Sequence, residues 1–167
     1  MKYACLLIIF IGAIPLYAQK NTELDARNGF KDIKLLTDIG HYKGLTLDKH
    51  LDESVGIDQY ERKKNNYMFI GEIPIKNLSA LTYKGKIYQI NIVTPKTPDL
   101  FKGLEKAFGK ARHSVRYQKY FWEGDQVKLT FESISTNRLQ LVYYAKGIKA
   151  MMKADKKKKI ESLSSEF

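Results

Sequence analysis

The residues of this chain with the clearest potential for bond chemistry are two carboxylates beside a tryptophan. Glu123 and Asp125 flank Gly124 in a predicted turn that directly follows Trp122. Two acids near a ring on which a sugar can stack would suit glycoside hydrolysis. The same residues are ordinary turn chemistry, because acidic residues and glycine are common in tight turns. The sequence leaves both interpretations open.

The other common catalytic motifs do not occur in the sequence. Its only histidines are His41, His50 and His113, and no two of them have the three- or four-residue spacing that places two imidazoles on one helical face for a metal ion. There is no glycine-rich phosphate loop, no Gly-x-Ser-x-Gly elbow and no His-Glu-x-x-His motif. We therefore expect no metal and no cofactor, and a non-catalytic function is favoured.

Cations alternate with aromatic rings in one predicted strand. Arg116, Tyr117 and Lys119 lie just before Tyr120 and Trp122, and such mixtures can bind glycans or single-stranded nucleic acid by stacking. One face of an alternating strand must also fill the core, so the rings equally fit sheet packing with the cations outside. Arg116, Tyr117 and Lys119 form the first set of candidate ligand-binding residues.

The densest charge cluster lies near the C-terminus, where Lys156, Lys157, Lys158 and Lys159 are consecutive. They would attract an anionic lipid or polymer, and each lysine close to such a surface contributes about 1 kcal/mol. A solubilising helix end is the alternative, since cations complement the negative end of the helix dipole. These four lysines form the second candidate set.

The N-terminal segment indicates the compartment in which these residues would act. Lys2 precedes an apolar run over residues 4–14, and Ala18 offers a small residue for cleavage. The run is too short to span a bilayer, which takes about 20 apolar residues. Residues 1–18 are predicted to be a signal peptide cleaved between Ala18 and Gln19, and a retained N-terminal anchor is the alternative.

The position of the only cysteine and the net charge limit the compartment and the partners that this protein could have. Cys5, the only cysteine, lies early in the apolar run rather than after it, so the protein is predicted to be periplasmic or secreted and not lipid-anchored. Without the signal, 149 of 167 residues remain, with 28 Lys plus Arg (29 less Lys2) against 18 Asp plus Glu, a net charge of +10. This surplus favours anionic partners, although a solvated lysine surface would also explain it. Export argues against nucleic acid as the partner.

The mature chain is predicted to form one domain. It would occupy residues 29–155, between a flexible N-terminus at 19–28 and a basic, frayed tail at 156–167. Residues 30–35 alternate apolar and polar side chains, which indicates a half-buried strand. Residues 48–51 are predicted to form one helical turn within a weakly patterned stretch.

A hairpin and a helix follow. Residues 78–83 and 86–93 flank a Lys-Gly pair, and the predicted pairing places Leu81 opposite Tyr88 and Ser79 opposite Ile90. The helix is predicted from the cap residue Thr97 and from Pro98 at its first position to Gly109 at its end, with Leu100, Leu104 and Phe108 on its buried face.

Gly103 lies inside this predicted helix and lowers the stability of the helix by about 1 kcal/mol relative to alanine. It indicates either the close approach of a neighbour or a tolerated weakness. Strands at 115–122, 127–131 and 139–143 and a helix at 145–159 complete the elements. The predicted fold class is α+β, an antiparallel sheet of about five to six strands with one packed helix and a C-terminal helix.

Three segments carry a family resemblance. Residues 28–37, residues 81–88 and the aromatic triplet at 120–122 resemble small exported bacterial proteins of unknown function that begin with a "GFxxIKxGT" segment. Leu36 stands where that pattern has glycine. The resemblance implies a fold and a periplasmic address, and it implies no activity.

These observations favour an exported, non-catalytic binding or accessory protein that contacts an anionic envelope lipid or polymer. The alternative is a carboxylate-dependent enzyme acting on an envelope polymer through Glu123 or Asp125. A third hypothesis is a structural domain whose partner is another envelope protein.

Overall fold

The computed structural model describes residues 22–164 and residue 166. Within this part of the chain, three α-helices and twelve strands follow one another. In chain order they are α1 (Thr22–Arg27), β1 (Gly29–Phe30), β2 (Ile33–Lys34), β3 (Leu45–Asp52), β4 (Ile57–Arg62), β5 (Phe69–Ile70), β6 (Ile73–Pro74), β7 (Asn77–Tyr83), β8 (Lys86–Pro95), α2 (Pro98–Phe108), β9 (Arg112–Ser114), β10 (Lys119–Glu123), β11 (Val127–Ser135), β12 (Arg138–Ala145) and α3 (Ile148–Ser164). The predicted signal peptide and its cleavage site lie outside the described residues.

Eight of the strands form one antiparallel sheet in the order β3-β4-β7-β8-β12-β11-β10-β9, and β1–β2 and β5–β6 are separate short hairpins. The predicted α+β class is confirmed, but the expected five to six strands are too few. Residues 48–51 belong to β3 and not to a helical turn. β3 is exposed after its first residue, so its sequence lacks the apolar alternation by which a half-buried strand is recognised.

The central hairpin β7–β8 follows the predicted pairing only next to its turn. Thr82 pairs with Ile87 as the prediction requires, but a bulge then places Leu81 opposite Gln89. A bulge inserts one extra residue into one strand, so the register beyond it shifts by one. The predicted Leu81–Tyr88 and Ser79–Ile90 pairs are therefore wrong. Ile90 is still fully buried.

Helix α2 forms where the sequence predicts it. The Thr97 side chain accepts a hydrogen bond from the backbone N–H of Asp99, which caps the first turn, and Gly109 follows the last residue with a φ of 76°. Leu100, Leu104 and Phe108 are buried. Their face of the helix packs on the sheet, and the main apolar core lies between these two layers. It includes Leu78, Ile90, Ile92, Leu129, Leu139 and Leu141 from the sheet.

The N-terminal segment is more ordered than its polar sequence suggests. Within the segment 19–28, residues 22–27 form helix α1, and Leu24 is fully buried. Residues 30–35 form a tight hairpin instead of one strand, since Lys31 turns the chain with a φ of 53°. Phe30, Ile33 and Leu35 remain in the core.

The C-terminal half follows the predicted meander, with a shorter first strand and a longer last helix. Residues 115–118 form a turn before β10, and α3 continues through residues 156–164, which were expected to fray. Ile148 anchors the start of α3 and is fully buried. Further along, the Asp155 carboxylate accepts hydrogen bonds from the Tyr83 hydroxyl at 2.9 Å and from Lys84 Nζ at 2.6 Å.

Leu36, which stands at the glycine position of the "GFxxIKxGT" segment, has a left-handed backbone conformation. Its φ is 61°, and its side chain is 38% exposed. The left-handed region costs an L-residue roughly 1–2 kcal/mol and costs glycine little. We expect Leu36→Gly to be more stable than Leu36→Ala by about 1 kcal/mol, the reverse of the usual order. The two variants differ only by the Cβ methyl group, so urea unfolding of the pair reports mainly the backbone term, and equal stabilities would contradict it.

Candidate binding groove

A groove of about 700 Å³ lies between α2, the β1–β2 hairpin and the β5–β6 hairpin. This volume is within the range of small-molecule sites, roughly 300–1,000 Å³. Its walls are largely apolar: Phe30 comes from β1, Ile70 and Ile73 from the second hairpin, and Leu104 from α2. We refer to it as the α2 groove.

Gly103 opens the groove on its helical wall. A Cβ atom at this position would have no heavy atom within 4 Å, so no neighbour approaches the helix closely here. Ala107, one turn further along, also lines the groove. The two small residues leave room that larger side chains on this part of the helix would fill. Of the two explanations offered for Gly103, close approach is therefore wrong.

Three cations line the α2 groove against one acid. Arg27, Lys31 and Lys34 are the cations, and Asp99 is the acid. The Arg27 guanidinium lies 5.3 Å from the centre of the Phe108 ring, and Lys34 Nζ donates to the Arg27 carbonyl oxygen at 2.7 Å. Within the described part of the chain, neither Lys31 nor Lys34 pairs with a carboxylate. The groove is thus apolar inside and positive at its edge.

Two hydrogen bonds hold the hairpin walls together. Lys31 Nζ donates to the Phe69 carbonyl oxygen at 2.7 Å, and the Tyr67 hydroxyl donates to Asp32 Oδ2 at 3.0 Å. Burial and then this hydrogen bond raise the pKa of Tyr67 to about 12. The β1–β2 and β5–β6 hairpins are separated by more than thirty residues, and these bonds fix their relative position.

The first predicted candidate set lies outside the α2 groove, in the turn before β10. The Tyr117 ring is 61% exposed. Its centre lies 5.4 Å from the Arg116 guanidinium and 5.9 Å from Lys119 Nζ. Lys119 Nζ is also 3.4 Å from Glu132 Oε1. The structure brings these three residues together as an exposed cation–aromatic cluster.

The second predicted set, Lys156 to Lys159, lies on α3. All four side chains are exposed. Successive residues of an α-helix are about 100° apart around its axis, so four in a row point to all sides and not to one face. Lys157 Nζ is 3.6 Å from Glu161 Oε1. The cluster is therefore a positively charged helix segment without a single flat binding face.

The structure does not support the predicted sugar site at the acidic pair. Trp122 is only 2% exposed, and its Nε1 donates to the Gly109 carbonyl oxygen at 2.8 Å, so its ring cannot serve as a platform. Glu123 Oε1 lies 3.0 Å from Lys146 Nζ. The hydrogen bond from Lys146 lowers the pKa of Glu123 despite partial burial. A carboxylate held ionised in this way is poorly suited to act as a general acid.

The turn that follows Glu123 is held by the carboxylate of Asp25, a residue that the sequence pattern did not indicate. Its carboxylate accepts backbone N–H bonds from Asp125, Gln126 and Val127 at 2.5–3.0 Å. A Cβ atom on Gly124 would overlap the same carboxylate. The turn thus serves as an anchoring point for α1, about a hundred residues earlier in the chain.

No group of three or more His, Cys, Asp or Glu side chains among the described residues is arranged to hold a metal ion. None of the helices in the described segments has the length and apolar character needed to span a membrane. Compared with models of protein families, with curated proteins and with solved structures, the chain matches none.

Proposed function

We propose that this is an exported, non-catalytic binding protein that holds an anionic amphiphile of the cell envelope in the α2 groove. The observation that carries the proposal is the combination of a ligand-sized apolar groove with three cations at its edge. Apolar walls favour a hydrocarbon chain, and a charged headgroup would remain beside the cations in partial contact with water. The predicted signal peptide at residues 1–18 supports export to the periplasm or out of the cell.

The overall charge supports the same class of ligand. A net charge of +10 on the mature chain draws anions from a distance. The exposed lysines of α3, Lys156 to Lys159, would favour contact with an anionic lipid or polymer surface. A second envelope protein remains the alternative partner, and a carboxylate-dependent enzyme is the less favoured function because Glu123 is paired with Lys146.

Filling the groove from its helical wall tests the proposal. In Gly103→Phe the new ring would occupy the open space beside α2, while replacing a helical glycine favours the helix. We expect the affinity for a pyrene-labelled fatty acid to fall about tenfold or more. The melting temperature should not decrease. Fluorescence titration and thermal unfolding of purified residues 19–167 would measure both.

Two matched variants control this experiment. Gly103→Ala improves the helix without blocking the groove, and it should bind like the unaltered protein. Lys106→Phe adds the same ring to α2 at an exposed position that does not line the groove. If all three variants bind the probe as the unaltered protein does, the groove is not the binding site.

A further inference from the structure

Tyr143 is a buried tyrosine within the α2 groove. It lies in β12, is only 5% exposed and lines the groove together with Phe30, whose ring centre is 6.3 Å away. Burial raises the pKa of Tyr143 to about 12, although Arg27 acts to lower it. The hydroxyl is therefore protonated at any physiological pH and can donate a hydrogen bond. Arg27 lines the same groove.

The Tyr143 hydroxyl makes no hydrogen bond to any residue in the described part of the chain. Other tyrosines at the domain's contacts do: the Tyr83 hydroxyl donates to Asp155, and the Tyr42 hydroxyl is 2.7 Å from that of Thr37. Among the described residues, only the hydroxyls of Thr82 and Thr94 are both fully enclosed and unpartnered. The Tyr143 hydroxyl is not among these fully enclosed atoms, and Tyr143 lines the groove.

Tyr143 is nearly buried, but its hydroxyl has no acceptor among the described residues, and polar groups of this kind orient ligands in apolar pockets. A ligand that enters the groove would supply the missing acceptor. Arg27 uses Nε for Glu23 at 2.7 Å, and a guanidinium carries further N–H donors. A cationic donor and a neutral donor that line one groove suit an oxyanion.

We propose that the Tyr143 hydroxyl is the hydrogen-bond donor to the headgroup of the groove's ligand, a carboxylate or phosphate oxyanion that Arg27 also faces. This inference rests on the proposed function and adds the residue that sets headgroup specificity. In the complex the hydroxyl becomes a specific contact to the headgroup.

Tyr143→Phe tests this role because it removes the hydroxyl and keeps the ring. Three pyrene-labelled probes of equal chain length are titrated: a fatty acid, an alkyl phosphate and an alkane without a headgroup. Loss of a hydrogen bond to a charged group weakens binding by about tenfold or more, so we expect this loss for the acid, the phosphate or both. Alkane binding should change less than about twofold, and the melting temperature of the free variant should not fall.

The other outcomes separate this inference from the proposed function. If Gly103→Phe blocks binding but Tyr143→Phe changes neither anionic probe, the groove is the site and the donor role is wrong. Equal losses for the alkane and the anionic probes would show a packing role and also overturn the donor role. If the unaltered protein binds none of the probes, or if Gly103→Phe has no effect on any of them, both proposals fail.

Discussion

Replacing Gly29 with alanine is expected to destabilise the protein by about 3 kcal/mol. Gly29 has a φ of 139°, a conformation that L-residues rarely adopt, and an added Cβ atom would overlap the carbonyl oxygen of Ile33 in the paired strand. The colliding atom is backbone, so no side-chain rotation can relieve the contact. For a domain of this size the melting temperature should fall by about 9 °C, as thermal unfolding followed by circular dichroism would measure.

Gly71 offers the matched control for this substitution. Its φ is 57°, so alanine is also strained there, but nothing lies within 4 Å of the position that a Cβ would occupy. Gly71→Ala should therefore cost only about 1 kcal/mol. Equal losses at the two positions would show that the collision with Ile33 does not matter.

Asp25→Ala is expected to lower the free energy of unfolding by about 2 kcal/mol, the second largest of the expected effects. The substitution leaves three backbone N–H groups without their acceptor, two in the turn before β11 and one, in a partly buried hydrogen bond, on Val127, the first residue of β11. Hydrogen bonds to a charged acceptor are stronger than neutral ones. Glu23→Ala in the same helix removes only the exposed pair with Arg27 and should change stability by less than about 0.5 kcal/mol. Urea unfolding of both variants makes the comparison.

The pH dependence of the Asp25 effect follows from its pKa. Burial alone would raise the pKa of Asp25, but the backbone hydrogen bonds and Lys146 lower it below the ordinary value of 3.8. A lowered folded-state pKa stabilises the protein above the unfolded-state pKa, and this contribution is lost as the pH falls through the folded-state value. The stability gap between the unaltered protein and Asp25→Ala should be constant above the unfolded-state pKa, shrink as the pH falls from that value through the folded-state pKa, and level off below both. A gap that widens in acid would contradict the assignment.

The elements that sequence patterns predicted well are those with local signals. The capping residue Thr97, the apolar stripe from Leu100 to Phe108 and the final Gly109 all lie within one helix, and their physical effects act over a few residues. The elements that were missed depend on distant partners. Helix α1 is short and polar, and it is held by a turn a hundred residues away, so no window of sequence around it contains that information.

The candidate site was harder to predict than the fold for the same reason. The predicted sets were residues that lie close together in sequence, at 116–119 and 156–159. The α2 groove instead combines residues 27–34, the β5–β6 hairpin, one face of α2 and Tyr143. Only Gly103 gave a local signal, since a glycine inside a helix calls for an explanation, and its meaning as open space required the structure.

The outermost strand β3 has a consequence for the behaviour of the protein in solution. It is an edge strand of the large sheet, and the unpaired backbone groups of an edge strand can pair with another chain. Here two bulges interrupt its pairing with β4, and Asp48, Lys49 and His50 follow one another along the exposed part. An irregular, charged edge strand pairs poorly with other chains, so at high concentration the protein should resist assembly into fibrils through β3.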